Sequence, residues 1–229
     1  MTRLQATISK YSSDAASIIT VGIDVGGPRK GFHAVVLRDG AFFALLTSSE
    51  VQQVADWCSE QATASVIAID APCRWSFDGR ARPCERELMQ KGIWCFSSPS
   101  HQKAHAPHRT GYYDWMLRGE ELYQALEATH PLLTALPLTG NACFETFPHA
   151  ITWHLRGGSA NARAKRSQRI ALLAHAGIDP APFSSIDLVD AALCALTAHH
   201  LATGRPCRAY GEPSTGLIVV PAEVPAGLG

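Results

Sequence analysis

The sequence has no net charge: its 20 lysines and arginines are matched by 20 aspartates and glutamates over 229 residues. That balance excludes a protein whose main task is to coat nucleic acid or an anionic membrane, so a polyanionic partner has to be met by a local patch. Charged residues are few, 17% of the chain against 46% hydrophobic, which excludes a disordered or fibrous polymer. No apolar run reaches the ~18 residues that a membrane-spanning helix needs. The first seventeen residues carry Arg3, Lys10 and Asp14 and no apolar stretch, so no signal peptide is expected. Close cysteine pairs are missing as well: none of the seven cysteines forms a CxxC, and an odd number does not make a disulfide framework. A reduced, soluble, cytoplasmic protein is the expectation. Cys73, Cys84 and Cys95, evenly spaced and followed by His101, His105 and His108, are suggestive of zinc. Without a close ligand pair, buried or loop cysteine is the preferred reading.

Repeats and low-complexity tracts are also absent, and the length suits one α/β domain. Residues 17–25 (SIITVGIDV), 31–37 and 41–46 read as three short strands, the last two joined by Asp39-Gly40, a hairpin signal. Val51, Val54, Ala55, Trp57 and Cys58 fall at helical spacing within 50–61, with Ser48 or Ser49 as N-cap. Residues 65–69 form a buried strand that ends at Asp70 and is stopped by Ala71-Pro72. The opening is therefore βββαβ. A loop-rich insertion follows at about 73–108, with a short helix around 85–90. Helices are expected at 113–129, 161–176 and 186–202, the last capped by Ser184 or Ser185, and a short strand at 142–147 holds Glu145. Residues 1–16 read as a disordered polar leader, 17–212 as the domain, and 213–229 as a tail with one edge strand at 217–220.

The acids are informative by position. Asp24, Asp70 and Glu145 each end or interrupt an apolar strand, where a carboxylate is costly unless it is paired or holds a cation. Asp187 and Asp190, three apart at the start of the last helix, share a face. Singly, each reads as a turn cap or as an acid favoured by the helix dipole. Together, five carboxylates from distant segments point to two hard cations, Mg²⁺ or Mn²⁺. Two such ions ~3.5–4 Å apart are suited to phosphodiester hydrolysis.

The succession GIDVGG (22–27), AIDAP (68–72), RPCERELMQKG (82–92), FETFP (144–148) and DLVDAALCALTA (187–198) resembles the family of RNase H-fold nucleases catalogued as domain of unknown function four-twenty-nine. The resemblance covers roughly residues 18–212. It implies an RNase H-like core, a five-stranded mixed sheet in the order βββαβαβα, akin to RuvC-type resolvases. It further implies that Asp24, Asp70 and Asp190 are metal ligands, with Asp187 and Glu145 also in the catalytic group. Glu145 would bind metal, orient a water or hold an arginine. The long insertion departs from a resolvase and leaves the substrate open.

Two basic stretches suit such a site. Arg74, Arg82 and Arg86 follow Asp70 closely, and their guanidinium forks match phosphate. From Thr146 to Ile178 no acid occurs, while Lys165 and Arg169 share a helix face there and would clamp a phosphate. Trp75, Phe77, Trp94 and Phe96 are candidates for stacking on unpaired bases. The leading reading is a Mg²⁺- or Mn²⁺-dependent nuclease acting on DNA or RNA, as a homodimer if the substrate is a two-fold junction. The competing readings are a non-catalytic binding protein of the same fold and a phosphotransferase of the actin or sugar-kinase type, suggested by GIDVGGPRKG. The latter requires a second copy of the fold.

Overall fold

The computed structural model describes residues 17–107 and 110–222; the expected leader and His108 lie outside the described residues. The first apolar runs form strands β1 (Ile19–Val25), β2 (Phe32–Arg38) and β3 (Ala41–Ser48). Asp39 and Gly40, both at positive φ (51° and 83°), close the tight β2–β3 turn, as Asp-Gly hairpins do. Helix α1 (Val51–Asp56) runs on into a π-helical turn, Trp57–Gln61. Glu50, not Ser48 or Ser49, is its N-cap residue; the Glu50 N–H donates to Ser48 Oγ at 3.0 Å. Strand β4 (Val66–Asp70) follows, then α2 (Pro83–Gln90), α3 (His101–His105) and α4 (Asp114–Leu126). Strand β5 (Ala142–Glu145) leads through α5 (Pro148–Leu155), a 3-10 turn (Ala162–Ala164) and α6 (Lys165–His175) to α7 (Ile186–Ala202). Strands β6 (Cys207–Glu212) and β7 (Gly216–Pro221) come last.

All seven strands lie in one mixed sheet, in the order β3-β2-β1-β4-β5-β7-β6. The β1–β2, β2–β3 and β6–β7 pairs are antiparallel, and β1–β4, β4–β5 and β5–β7 are parallel. The first five strands form a mixed sheet with the expected succession of elements, and two further strands widen it. The segment at 217–220, expected as an edge strand in a tail, is instead part of the sheet interior: all six residues of β7 are buried between β5 and β6. The edge is β6, whose alternating exposure and internal Gly211 hide it from a hydrophobic-run reading. Pro148 opens α5, where its missing N–H costs nothing.

Two cores flank the sheet. Val21, Ile23, Val25, Ile67 and Ile69 pack against α1 and α4 on one face. Val66, Ala68 and Phe144 pack against α5, α6 and α7 on the other. Helix α7 is buried over most of its circumference, which explains an apolar composition without a polar stripe. Among the described residues no helix is long and apolar enough to cross a membrane. At the crossing of α7 on β1 the backbones nearly touch. A Cβ on Gly22 would stand 2.0 Å from the Ala195 nitrogen and 2.1 Å from the Ala191 oxygen. On the opposite face Gly119 of α4 gives the same clearance, since a Cβ there would meet the Ala71 Cβ at 2.6 Å.

Replacing Gly22 by alanine should therefore separate α7 from β1 and cost at least about 3 kcal/mol, at or above the usual range for overpacking. At this chain length that is a fall in Tm of roughly 10 °C. Gly27→Ala is the control: nothing lies within 4 Å of the added methyl, and Tm should stay within about 2 °C.

Candidate functional site

The period of two along a strand decides which acids meet. In β1 it turns Val21, Ile23 and Val25 to the α1–α4 face and leaves Gly22 and Asp24 facing α7. In β4 the same alternation puts Val66, Ala68 and Asp70 on the α7 side. Asp24 and Asp70 are direct register partners across the parallel β1–β4 pair. Ser185 caps α7, its hydroxyl accepting the Leu188 N–H at 3.1 Å, and so fixes where Asp187 and Asp190 emerge.

The three carboxylates perturb one another. Burial, then the charges of Asp190 and Asp187, push Asp24 up to about 8 from its ordinary 3.8. Asp70 is raised well above the ordinary value by burial, then by Asp24 and Asp190. Asp190 is raised by burial, although Arg169 and Lys165 pull the other way. Arg169, itself buried, donates from Nη1 to Asp190 Oδ1. Lys30, from the β1–β2 turn, reaches Asp187 Oδ1 at 3.1 Å.

Hydrogen-bonding capacity is left over at this centre. Among the described residues neither the Asp24 nor the Asp70 carboxylate has a hydrogen-bond partner, and Arg169 Nε is buried without one. His33, the register partner of Asp24 on β2, has a buried Nδ1 that is likewise unpartnered. Unsatisfied, mutually repelling oxygen donors fit hard divalent cations. In this conformation, however, the oxygens of Asp24, Asp70 and Asp190 do not all lie within 4.8 Å of one another. The sequence reading missed Lys30 and His33; the hairpin register is the signal that would have placed His33 opposite Asp24.

Glu145 does not join this group. It pairs in register with Ile69, one residue out of phase with Asp70. Its carboxylate instead receives Arg82 Nη1 at 2.8 Å, Arg82 Nη2 at 2.6 Å and the Cys73 N–H at 2.9 Å. Arg82 Nε donates to Glu85 Oε1 at 2.8 Å, and Arg82 is only 3% exposed. Of the three roles considered for Glu145, it holds an arginine. Arg82, expected to bind phosphate, is committed to two carboxylates inside the protein. Arg74 is exposed beside Trp75, and Arg86 is exposed with Nη1 donating to the Ala81 carbonyl. A small cleft of about 50 Å³ opens between Asp70 and Glu145, with Phe96, Trp115 and Phe147 on its walls. All seven cysteines are free. Cys73, Cys84 and Cys95 form no ligand group, so the zinc pattern they suggested does not assemble.

Two predictions follow from these environments. Arg82→Met should leave Glu145 buried and unpaired at a cost of about 3–5 kcal/mol, seen as a large drop in urea midpoint. For Asp24, between pH 3.8 and about 8 the folded protein keeps a proton that the unfolded chain has lost. Its stabilising contribution is therefore complete below the ordinary carboxylate value and is lost as pH rises through about 8. With chelator present, wild-type urea midpoints should fall from pH 5 to pH 8, by at most about 1.4 kcal/mol per pH unit from this proton. Asp24→Asn should lessen that slope, while Asp70 and Asp190, also raised by burial, keep their own share of it.

No curated protein matches the chain. The Thermus thermophilus RuvC structure is similar at 16% sequence identity and a TM-score of 0.43, over 82% of this chain and 97% of that one. The model of the family described as "Protein of unknown function (DUF429)" matches residues 22–215, a span from the middle of β1, through every element that supplies an acid, to the turn before β7. The chain belongs to that family.

Proposed function

We propose that the protein is a divalent-metal-dependent nuclease that hydrolyses phosphodiester bonds in DNA or RNA at the Asp24–Asp70–Asp190 centre. The observation that carries this reading is the pairing of Asp24 with Asp70 at adjacent strand ends, both without a hydrogen-bond partner among the described residues, under Asp190 of α7. These three would hold two Mg²⁺ or Mn²⁺ ions, with Asp187 beside them. When bound, such ions lower the pKa of a water and offset charge on the leaving oxygen.

The chain's own groups have distinct tasks in this scheme. Arg169 offsets the charge of Asp190, and its guanidinium would also suit a phosphate oxygen of the substrate. Lys165, exposed one helical turn earlier, supplies a second positive charge on the same face. Lys30 holds Asp187, and His33 Nδ1 is placed to hold a proton next to Asp24. Arg74 and Arg86 are open to solvent and suited to backbone further along the strand. Phe96 and Trp115 wall the cleft beside Asp70, and Phe77 and Trp94 project into solvent, so unpaired bases have rings to stack on. Glu145 and Arg82 act as the buried brace under this surface. A two-fold junction substrate would call for two copies of the chain. The phosphotransferase reading requires two such sheets, and the described residues contain one.

Purified protein with Mg²⁺ or Mn²⁺ should cleave at least one of a panel of branched, single-stranded and hybrid substrates. Asp24→Asn, Asp70→Asn and Asp190→Asn should each lower the rate at least ~100-fold, the scale of losing electrostatic stabilisation of the transition state. Lys165→Ala should raise KM more than it lowers kcat. Residual cleavage identical in wild type and Asp24→Asn/Asp190→Asn would sink the proposal. A melting temperature raised by Mn²⁺ with no cleavage of any substrate would favour the non-catalytic binding protein.

A further inference from the structure

A second group of metal-ligating side chains lies outside the acid centre and shares no residue with it. His101 and His105 stand one turn apart on α3, and Glu120 faces them from α4. Their ligand atoms all lie within 4.8 Å of one another, the tightest such grouping among the described residues. His105 Nε2 is 3.5 Å from Glu120 Oε2, and His101 Nε2 is 3.8 Å from Glu120 Oε1. Two ligands held about 2.1 Å from a tetrahedral ion stand about 3.4 Å apart, so these spacings need to close by only tenths of an ångström.

The groups behind the ligands are also those that a metal site requires. His105 Nδ1–H donates to the His101 carbonyl at 3.1 Å, which fixes the tautomer and leaves the Nε2 lone pair facing Glu120. The Trp75 indole N–H donates to Glu120 Oε1 at 2.6 Å and orients the carboxylate. The Trp75 ring meets both imidazoles edge-on, at 6.2 and 6.1 Å between centroids. The segment carrying Trp75 is itself tied to the start of α3, where the Ser76 N–H donates to the Pro99 carbonyl at 3.0 Å. Ser100 then caps α3 by accepting the Lys103 N–H. Three stretches of chain therefore hold the three ligands in place before any ion arrives.

We infer that His101, His105 and Glu120 form a binding site for a borderline divalent ion of the zinc class, with three protein ligands and a fourth position open to solvent. Two imidazoles and one carboxylate select such an ion over Mg²⁺, which prefers oxygen. His101 and His105 are exposed and Glu120 is half-buried, so an ion and a solvent or anionic fourth ligand have free access. The site fastens the 73–108 insertion to α4.

The test uses the full chain carrying Asp24→Asn and Asp190→Asn, stripped with chelator and then saturated with Mg²⁺, so that the acid centre cannot contribute. Calorimetric titration with Zn²⁺ should give one equivalent bound, and Co²⁺ should show the intense visible absorption of a four-coordinate ion. Adding His105→Ala or Glu120→Gln should weaken Zn²⁺ binding at least tenfold with the metal-free melting temperature unchanged. Trp75→Phe, which keeps the ring and removes the N–H, should weaken it by about tenfold or more. The inference is overturned if the parent binds no Zn²⁺, or if a His101→Ala/His105→Ala form binds it as tightly as the parent. Neither result bears on the nuclease proposal, whose residues are already disabled in every sample.

Discussion

The bare backbone of Gly22 against α7 is the constraint on which the rest of the molecule depends. Any side chain there would occupy the place of the Ala191 oxygen and the Ala195 nitrogen. Because the helix can lie directly on β1, Asp190 arrives over Asp24, and Asp70 comes with them through the β1–β4 register. A helix raised by even one methyl layer would leave the same acids in the sequence and no common centre. The acid cluster thus begins with a packing contact that carries no charge.

Crowded carboxylates then have to be tolerated. The fold does so in two ways: a proton stays on Asp24 up to about pH 8, and Arg169 lies against Asp190. On the proposed function, a cation held at this centre would take the place of both. The Glu145–Arg82–Glu85 group works differently. Its guanidinium is bonded along both edges and almost sealed from water, so nothing in it is available for exchange. Both are buried acid–base groups, but only the first keeps unused donors and acceptors.

Much of this was legible in the sequence. The βββαβ opening follows from short β-branched runs and an Asp-Gly turn, and α7 has the bounds its Ser cap and Gly204 imply. Asp24, Asp70 and Asp190 could be grouped because the first two lie at the ends of buried strands and the third in the opening turns of a buried helix. Glu145 satisfied the same criterion and went elsewhere, since being at a strand end does not reveal the phase of the strand relative to its neighbour. That phase is set by pairing, a long-range property. Arg82 was misplaced for a related reason: nearness to Asp70 in sequence says nothing about which acid its guanidinium meets. Strand β6 and helix α5 were invisible because each is short and takes its stability from partners rather than from its own pattern.

The place of β7 has a consequence for how the chain is made. It lies between β5 and β6, and the Thr146 hydroxyl at the end of β5 donates to the Val219 carbonyl at 2.6 Å across 73 residues of sequence. While the ribosome is still short of residue 216, β6 has no neighbour to pair with and one edge of β5 is bare. A bare edge invites pairing with another nascent chain. Synthesis therefore passes through a long interval in which β1 to β5 can already be paired while β6 and the outer edge of β5 wait for the last insertion. The hazard of aggregation is concentrated in that interval.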